Sequence, residues 1–243
     1  LLSVEGVGTS ITANANADVE STTGHVTMSA TQSITLNGSV DVTTGGTGTM
    51  DLAAATGSLV MDATATLNTV NGDIRLTVGD EVLDQVILGD LTASNANVSI
   101  ETPGSVLDTA DADNEVSALG LRVVAGKGFG LLAGNSLLLP VNAIETAVTT
   151  VSILVRGSDG VNVVEDNALV IDNVVSPLDG SQSVTVNTVN ADATTTTNTE
   201  ATQSDVITTN VNGANGSIVV RTTNGTITVN EGDTDDTGVS ATG

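Results

Sequence analysis

"GDIRLTV", residues 72–78, is a glycine turn leading into Ile74 and Leu76, each flanked by polar residues, and similar phrases stand at "GHVTM" (24–28) and "GTMDL" (48–52). Glycines fall at Gly24, Gly48 and Gly72, with Ala96 next. Each precedes an apolar-polar-apolar triplet: Val26-Thr27-Met28, Met50-Asp51-Leu52, Ile74-Arg75-Leu76 and Val98-Ser99-Ile100. The step is 24 residues. Leu2-Ser3-Val4 fits upstream, and Leu121-Arg122-Val123 arrives one residue early. A fixed period of this length marks a repeat architecture.

Two more apolar series run between the triplets, one through Ile11, Ile34, Leu59, Leu83 and Leu107, the other through Val19, Val42, Leu67, Leu91 and Val116. Three short strands therefore recur per unit. Strands of about three or four residues do not make a stable pair alone, so each must find its hydrogen-bond partners in the equivalent strand one unit away. The expected fold is all-β, a parallel β-solenoid (β-helix) of about 24 residues and three short strands per coil. Val, Ile and Leu stack inward, Thr, Ser, Asp and Arg face outward, and glycines turn the corners, where a positive φ suits them. Asp51 and Arg75 should then be neighbours on the outer wall, about 4.8 Å apart, in an exposed pair worth up to about 1 kcal/mol. The rival fold is a pair of immunoglobulin-like sandwiches.

Composition favours the solenoid. The chain has one Phe, no Trp, no Tyr and no Cys, with 39% hydrophobic residues that are nearly all aliphatic. Two sheets packed about 10 Å apart usually need aromatic side chains to fill the gap, whereas thin, repeated layers do not. With 5 Lys+Arg against 29 Asp+Glu, the formal charge is -24. Binding to nucleic acid or anionic membranes needs clustered basic residues, so suitable partners are cations or surfaces reached through them. Ten coils spaced at about 4.8 Å give a rod with one charge per ~2 Å, close to the charge density of duplex DNA. No apolar run has the length of a membrane-spanning helix, so membrane insertion is not expected.

Residues 1–118 read as regular coils. The more apolar stretch 119–160, which holds the sole Phe129 and the sole Lys127, reads as less regular coils or an insert. Over 161–243 the rhythm returns at Val161-Asn162-Val163, Val184-Thr185-Val186, Val206-Ile207 and Ile227-Thr228-Val229, interrupted by an outer Thr-rich loop at 191–205. The whole reads as one continuous solenoid.

"GSVLDTADADNEVSALGLRVVAG" (104–126) and "NAIETAVTTVSILVRGSDGVNVVE" (142–165) resemble the recurring unit of filamentous-haemagglutinin-like giant bacterial surface proteins. The resemblance implies a right-handed parallel β-helix used as an extracellular fibre, adhesin stalk or matrix component at the bacterial cell surface. Neither end shows a capping helix, and an uncapped solenoid exposes strand edges. The expectation is continuation in a longer polypeptide or head-to-tail stacking on copies of itself, an open heterologous arrangement.

Residues for catalysis are sparse. His25 is the only histidine and reads as a surface residue, and the basic residues Arg75, Arg122, Lys127, Arg156 and Arg221 are scattered. A non-catalytic structural role is therefore expected. A polysaccharide-cleaving β-helix enzyme with paired carboxylates is the remote alternative, and an adhesion module binding glycan or calcium is the nearer one. Calcium takes several carboxylate and carbonyl oxygens from one loop. "DTADADNE" (108–115) offers Asp111, Asp113 and Glu115 at alternate positions, and "EGDTDD" (231–236) offers Glu231, Asp233 and Asp235. Asn37, Asn97, Asn215 and Asn224 begin glycosylation sequons by pattern.

Overall fold

A computed structural model describes residues 1–109, 111, 113–132, 142–177, 180, 183–209 and 216–242. The fold is all-β, with no helix among the described residues, and hence none long and apolar enough to cross a membrane. Its strands form a large parallel sheet nearly closed around an axis, consistent with a solenoid.

The triplets pair as their spacing predicts. Val26 lies opposite Leu2 and Met50, and Met50 opposite Ile74, which in turn faces Val98. Two residues along, one unbroken ladder runs Val4, Met28, Leu52, Leu76, Ile100, Val123, Ile153, Val206, Val239. All of its members from Met28 to Val206 are buried. Each fully buried aliphatic side chain contributes roughly 1.5–3 kcal/mol, so the stack replaces the bulky aromatic core that the composition lacks.

The series through Val19, Val42, Leu67, Leu91 and Val116 also pairs member to member. The remaining series holds only at its start. Leu59 faces Val86, not Leu83, and Val86 faces Val106, not Leu107. Leu83 is 74% exposed. A loop between Val78 and Val86 lengthens this coil, and an even count along the sequence lands in it. Phe129 is not in an insert. It is buried in a two-residue strand between Val106 and Val161, while 133–141 of the same stretch lie outside the described residues.

Turn glycines serve two ends: Gly46 and Gly79 take a positive φ, as expected, whereas Gly24, Gly48 and Gly72 serve close approach. Gly72 has no positive φ, yet a Cβ there would stand 1.9 Å from the carbonyl oxygen of Gly48, and one on Gly48 would stand 2.4 Å from that of Gly24. Successive corners rest directly on one another. The stack ends at Ala96, where the corner is replaced by one continuous strand, Asp90–Thr102.

The largest departure from the expected coils lies in the described residues of 172–177 and 183–205, which leave the solenoid and lie along its outer wall. Val184-Thr185-Val186 is not a coil. Thr185–Val189 pairs antiparallel with Thr195–Thr199, so the Thr-rich stretch is half of a hairpin. Along the inner strand of that hairpin, every second backbone N–H donates to a wall side chain: Val189 to Thr27 Oγ1 (2.8 Å), Asn187 to Thr49 Oγ1 (2.8 Å) and Thr185 to Asp73 Oδ2 (2.7 Å). The flanking segments are tied down as well. Asn97 Nδ2 donates to the carbonyls of Val175 and Ser183, Arg122 Nε to that of Ala201, and Gln203 Nε2 to that of Val123.

This strap buries the wall that was expected to face water. Asp51 is 1% exposed and accepts from Thr188 Oγ1. Arg75 forks onto both oxygens of Asp51 (2.9 and 3.0 Å) and reaches Glu200 Oε1 at 3.4 Å, while Arg122 meets Glu200 Oε2 at 3.5 Å. The Asp51–Arg75 pair is thus the sealed base of the strap and not an exposed curiosity. Removing one partner of a buried pair strands the other charge and costs about 3–5 kcal/mol.

Gly72→Ala should lower unfolding free energy by about 3 kcal/mol, the upper end for overpacking. Gly38→Ala meets only side chains at 3.3 Å and should cost under about 1 kcal/mol. Denaturant melts followed by circular dichroism compare them. In the same assay Arg75→Met should cost about 3–5 kcal/mol, and Glu200→Gln, which leaves Asp51 paired, about 1 kcal/mol or less.

Candidate functional site

Asp111, Asp113 and Glu115 fall between the strand Ser105–Asp108 and the strand Val116–Ala125, which pairs with Ile144–Val155 through Val116 opposite Thr146. Glu115 and Glu145 stand just ahead of that pair. This brings Asp108, Glu115 and Glu145 together, with one carboxylate oxygen of each lying within 4.8 Å of the others. The Glu145 backbone N–H donates to Glu115 Oε2 (2.7 Å), and Asn142 Nδ2 donates to Asp108 Oδ2 (2.5 Å). Glu115 is 1% exposed. Its Oε1 and the Oε2 of Glu145 are buried without a hydrogen-bond partner.

Burial, then the charge of Asp108, pushes the Glu115 carboxyl up to about 9, and the same two causes raise that of Glu145. Asp90 nearby is raised by burial and then by Asp113 and Asp111. Of the residues expected to act together here, Glu115 alone turns inward. Asp111 and Asp113 are exposed, Asp111 accepting from Thr109 Oγ1 (2.9 Å) and from the Asp113 N–H (3.1 Å). Alternate residues share a face only in an extended strand, and the strand here ends at Asp108. Asp108 and Glu145 were missed because their approach depends on a longer step, 30 residues, between the two strands, as Leu121 opposite Val151 records.

The C-terminal acidic run behaves similarly. Asp233 and Asp235 converge with Asp205, again within 4.8 Å, while Glu231 points to the Asp236 N–H (3.4 Å) and is not part of the group. Asp205 is fully buried with a φ of 67°, and its Oδ1 has no hydrogen-bond partner. Ser204 Oγ lies 3.0 Å from Asp205 Oδ2 and 3.1 Å from Asp233 Oδ2. Burial, then Asp233 and Asp235, raises the Asp205 carboxyl.

Two basic residues that look scattered in sequence meet in space. Lys127 and Arg156 line one cleft of about 690 Å³ with Val78, Val82, Pro103 and Glu101. Their spacing is close to the local step, since Ala125 pairs with Val155, and that was the available signal. Neither makes an ion pair among the described residues. His25 is half-buried, accepts from the Thr49 N–H at Nδ1 (3.0 Å), and is lowered by burial. Of the sequons, Asn97 is buried with its amide committed to the strap, Asn37 bonds the Ala13 carbonyl, Asn224 is exposed, and Asn215 lies outside the described residues.

Glu165, at the end of the strand Gly160–Glu165, is a further buried acid. It accepts from the backbone N–H groups of Val148 and Asn167 and from Thr146 Oγ1, and burial nevertheless raises its pKa. An acid raised in the folded state stabilises fully below its unfolded pKa, near 4.5, and that contribution is lost as pH rises. Glu165→Gln keeps an acceptor for the two N–H groups. It should match the parent near pH 4 and melt progressively higher than the parent as pH rises above 5, which thermal scans across pH would show.

No family model, curated protein or solved structure matches the chain, so its function is read from its own geometry.

Proposed function

We propose that the chain is a right-handed parallel β-helix of about 24 residues and three short strands per coil, serving as a rigid, acidic, non-catalytic stalk in an extracellular fibre or bacterial surface adhesin. The observation that carries this reading is the unbroken apolar ladder from Val4 to Val239. Its eight steps give a rigid axis of roughly 40 Å. A ladder in which each level holds only its neighbours suits a spacer that can be extended by repetition. The strands Leu2–Gly6 and Val239–Thr242 each pair on one side only among the described residues, so each presents an edge to a further strand, of a longer polypeptide or of a second copy. The resemblance of 104–126 and 142–165 to filamentous-haemagglutinin-like proteins supports the same placement.

A second reading, an adhesion module for glycan or calcium, is favoured by the cleft of Lys127 and Arg156. Two cations free of ion pairs among the described residues, beside apolar Val82 and Pro103, suit a carboxylated or sulfated sugar.

Small-angle scattering of the full chain should give an elongated particle, and antibodies should label the intact source cell. A compact particle, or antigen found only after lysis, overturns the stalk. On a glycan array with and without calcium, the stalk reading expects no bound sugar. Selective retention of uronic or sulfated glycans, lost in Lys127→Ala, moves the assignment to the adhesion module.

A further inference from the structure

The hairpin of the strap ends in a free strand edge. At its two ends the Glu200 N–H donates to the Val184 carbonyl and the Asn190 N–H to that of Thr194, both at 2.9 Å. In an antiparallel pair the hydrogen-bonded positions alternate. Thr194, Thr196, Asn198 and Glu200 therefore turn their backbone groups toward the inner strand, and Thr195, Thr197 and Thr199 turn theirs away from it. The inner strand obeys the same alternation, with Thr185, Asn187 and Val189 donating to the wall. Among the described residues Thr195–Thr199 has no second strand partner, and all of it except Asn198 is exposed.

Native proteins guard such an edge with a charge, a proline or a bulge. Residues 193–199 carry no charge and no proline, in a chain whose net charge is -24. Four of the five strand residues are Thr, a β-branched residue that pairs well with itself across strands. We propose that Thr195–Thr199 pairs with the same strand of a second copy, antiparallel and centred on Thr197, and so joins two chains side by side through a four-stranded sheet. In that register Thr197 faces Thr197 and Thr195 faces Thr199. Every outward N–H and C=O of the edge is then used, in about six hydrogen bonds. Glu200 faces Thr194, and Asp192 faces Thr202, so no acid stands opposite an acid.

The two acidic bodies stay apart. The inner strand meets the wall by its edge, which sets the outer strand away from the wall. Three strand spacings, about 14 Å, then separate the two walls at the least, more than the screening length of about 8 Å at physiological salt. A five-residue edge is small beside the roughly 1,200–2,000 Å² of a stable interface, so the pairing is weak and reversible. It uses neither Leu2–Gly6 nor Val239–Thr242, and it stands or falls independently of the stalk reading.

The test is sedimentation of the full chain at about 10 μM to 1 mM, followed by interference optics because the protein has no Trp or Tyr. In about 0.5 M NaCl the parent should form a dimer with Kd of about 0.1–1 mM. In about 0.05 M NaCl the dimer should weaken at least about 5-fold, because repulsion is then unscreened; an ion-paired interface responds in the opposite sense. Thr197→Pro removes an outward N–H and leaves the inner ladder intact, so it should keep native circular dichroism and Tm and lose the dimer. Thr197→Lys and Thr197→Glu should each be monomeric alone and associate when mixed, since the register sets like charges face to face in one case and opposite charges in the other. A parent that stays monomeric up to about 1 mM at high salt overturns the proposal. So does a Thr197→Pro variant that associates as the parent does, which is the result expected of head-to-tail stacking alone. A mixture of the Lys and Glu variants that associates no better than either component also overturns it, and this pair keeps the test decisive if Thr197→Pro does not fold.

Discussion

Everything in this molecule depends on short strands lending their backbone groups to copies of themselves one coil away. Val26 N–H finds the Thr49 carbonyl at 2.9 Å, and Met50 N–H finds that of Asp73 at 3.0 Å. Outside the hairpin of Thr185–Val189 and Thr195–Thr199, no described strand of three to five residues pairs with the strand next to it in sequence, so the register carries both the hydrogen bonding and the core. A slip by one residue would turn Val26, Met50 and Ile74 outward together. The glycine corners follow from the same constraint, because the spacing between levels leaves no room for a methyl group at Gly72.

Charge is the counterweight. A chain carrying -24 spends four of its interactions between Arg75, Arg122, Asp51, Glu101 and Glu200 on one seam, which leaves the other acids to find hydrogen bonds, protons or ions. Some sit at turns, where backbone N–H groups serve them, as with Asp62 beneath Thr64 and Asp192 beneath Thr194. Glu115, Asp205 and Glu165 differ in being buried, and burial raises the pKa of each.

The ladder was legible in the sequence because its period is constant and its residues are chemically alike. It became illegible wherever length changed. Leu83 occupied the expected slot in number but not in space, since the loop before Val86 shifts the count. Val184-Thr185-Val186 was misplaced for a different reason: alternating Val and Thr describe a half-buried strand equally well in a coil or in a hairpin, and nothing local records that its partner is Thr195–Thr199. The candidate sites suffered from both effects. Asp111 and Asp113 were grouped with Glu115 by proximity along the chain, whereas Asp108 and Glu145 reach it across a step of 30 residues. Lys127 and Arg156 could be brought together only once that longer step was known.

The strap changes how the stacked coils would respond to tension. A plain stack of coils under axial tension opens at its weakest level, one level after another. Here the inner hairpin strand crosses several levels and is fastened at Thr27, Thr49, Asp51 and Asp73, so stretching the early coils shears these fastenings side by side. Strain is thereby shared among bonds that would otherwise rupture in turn, and the first half of the rod is stiffened by residues made more than a hundred positions later.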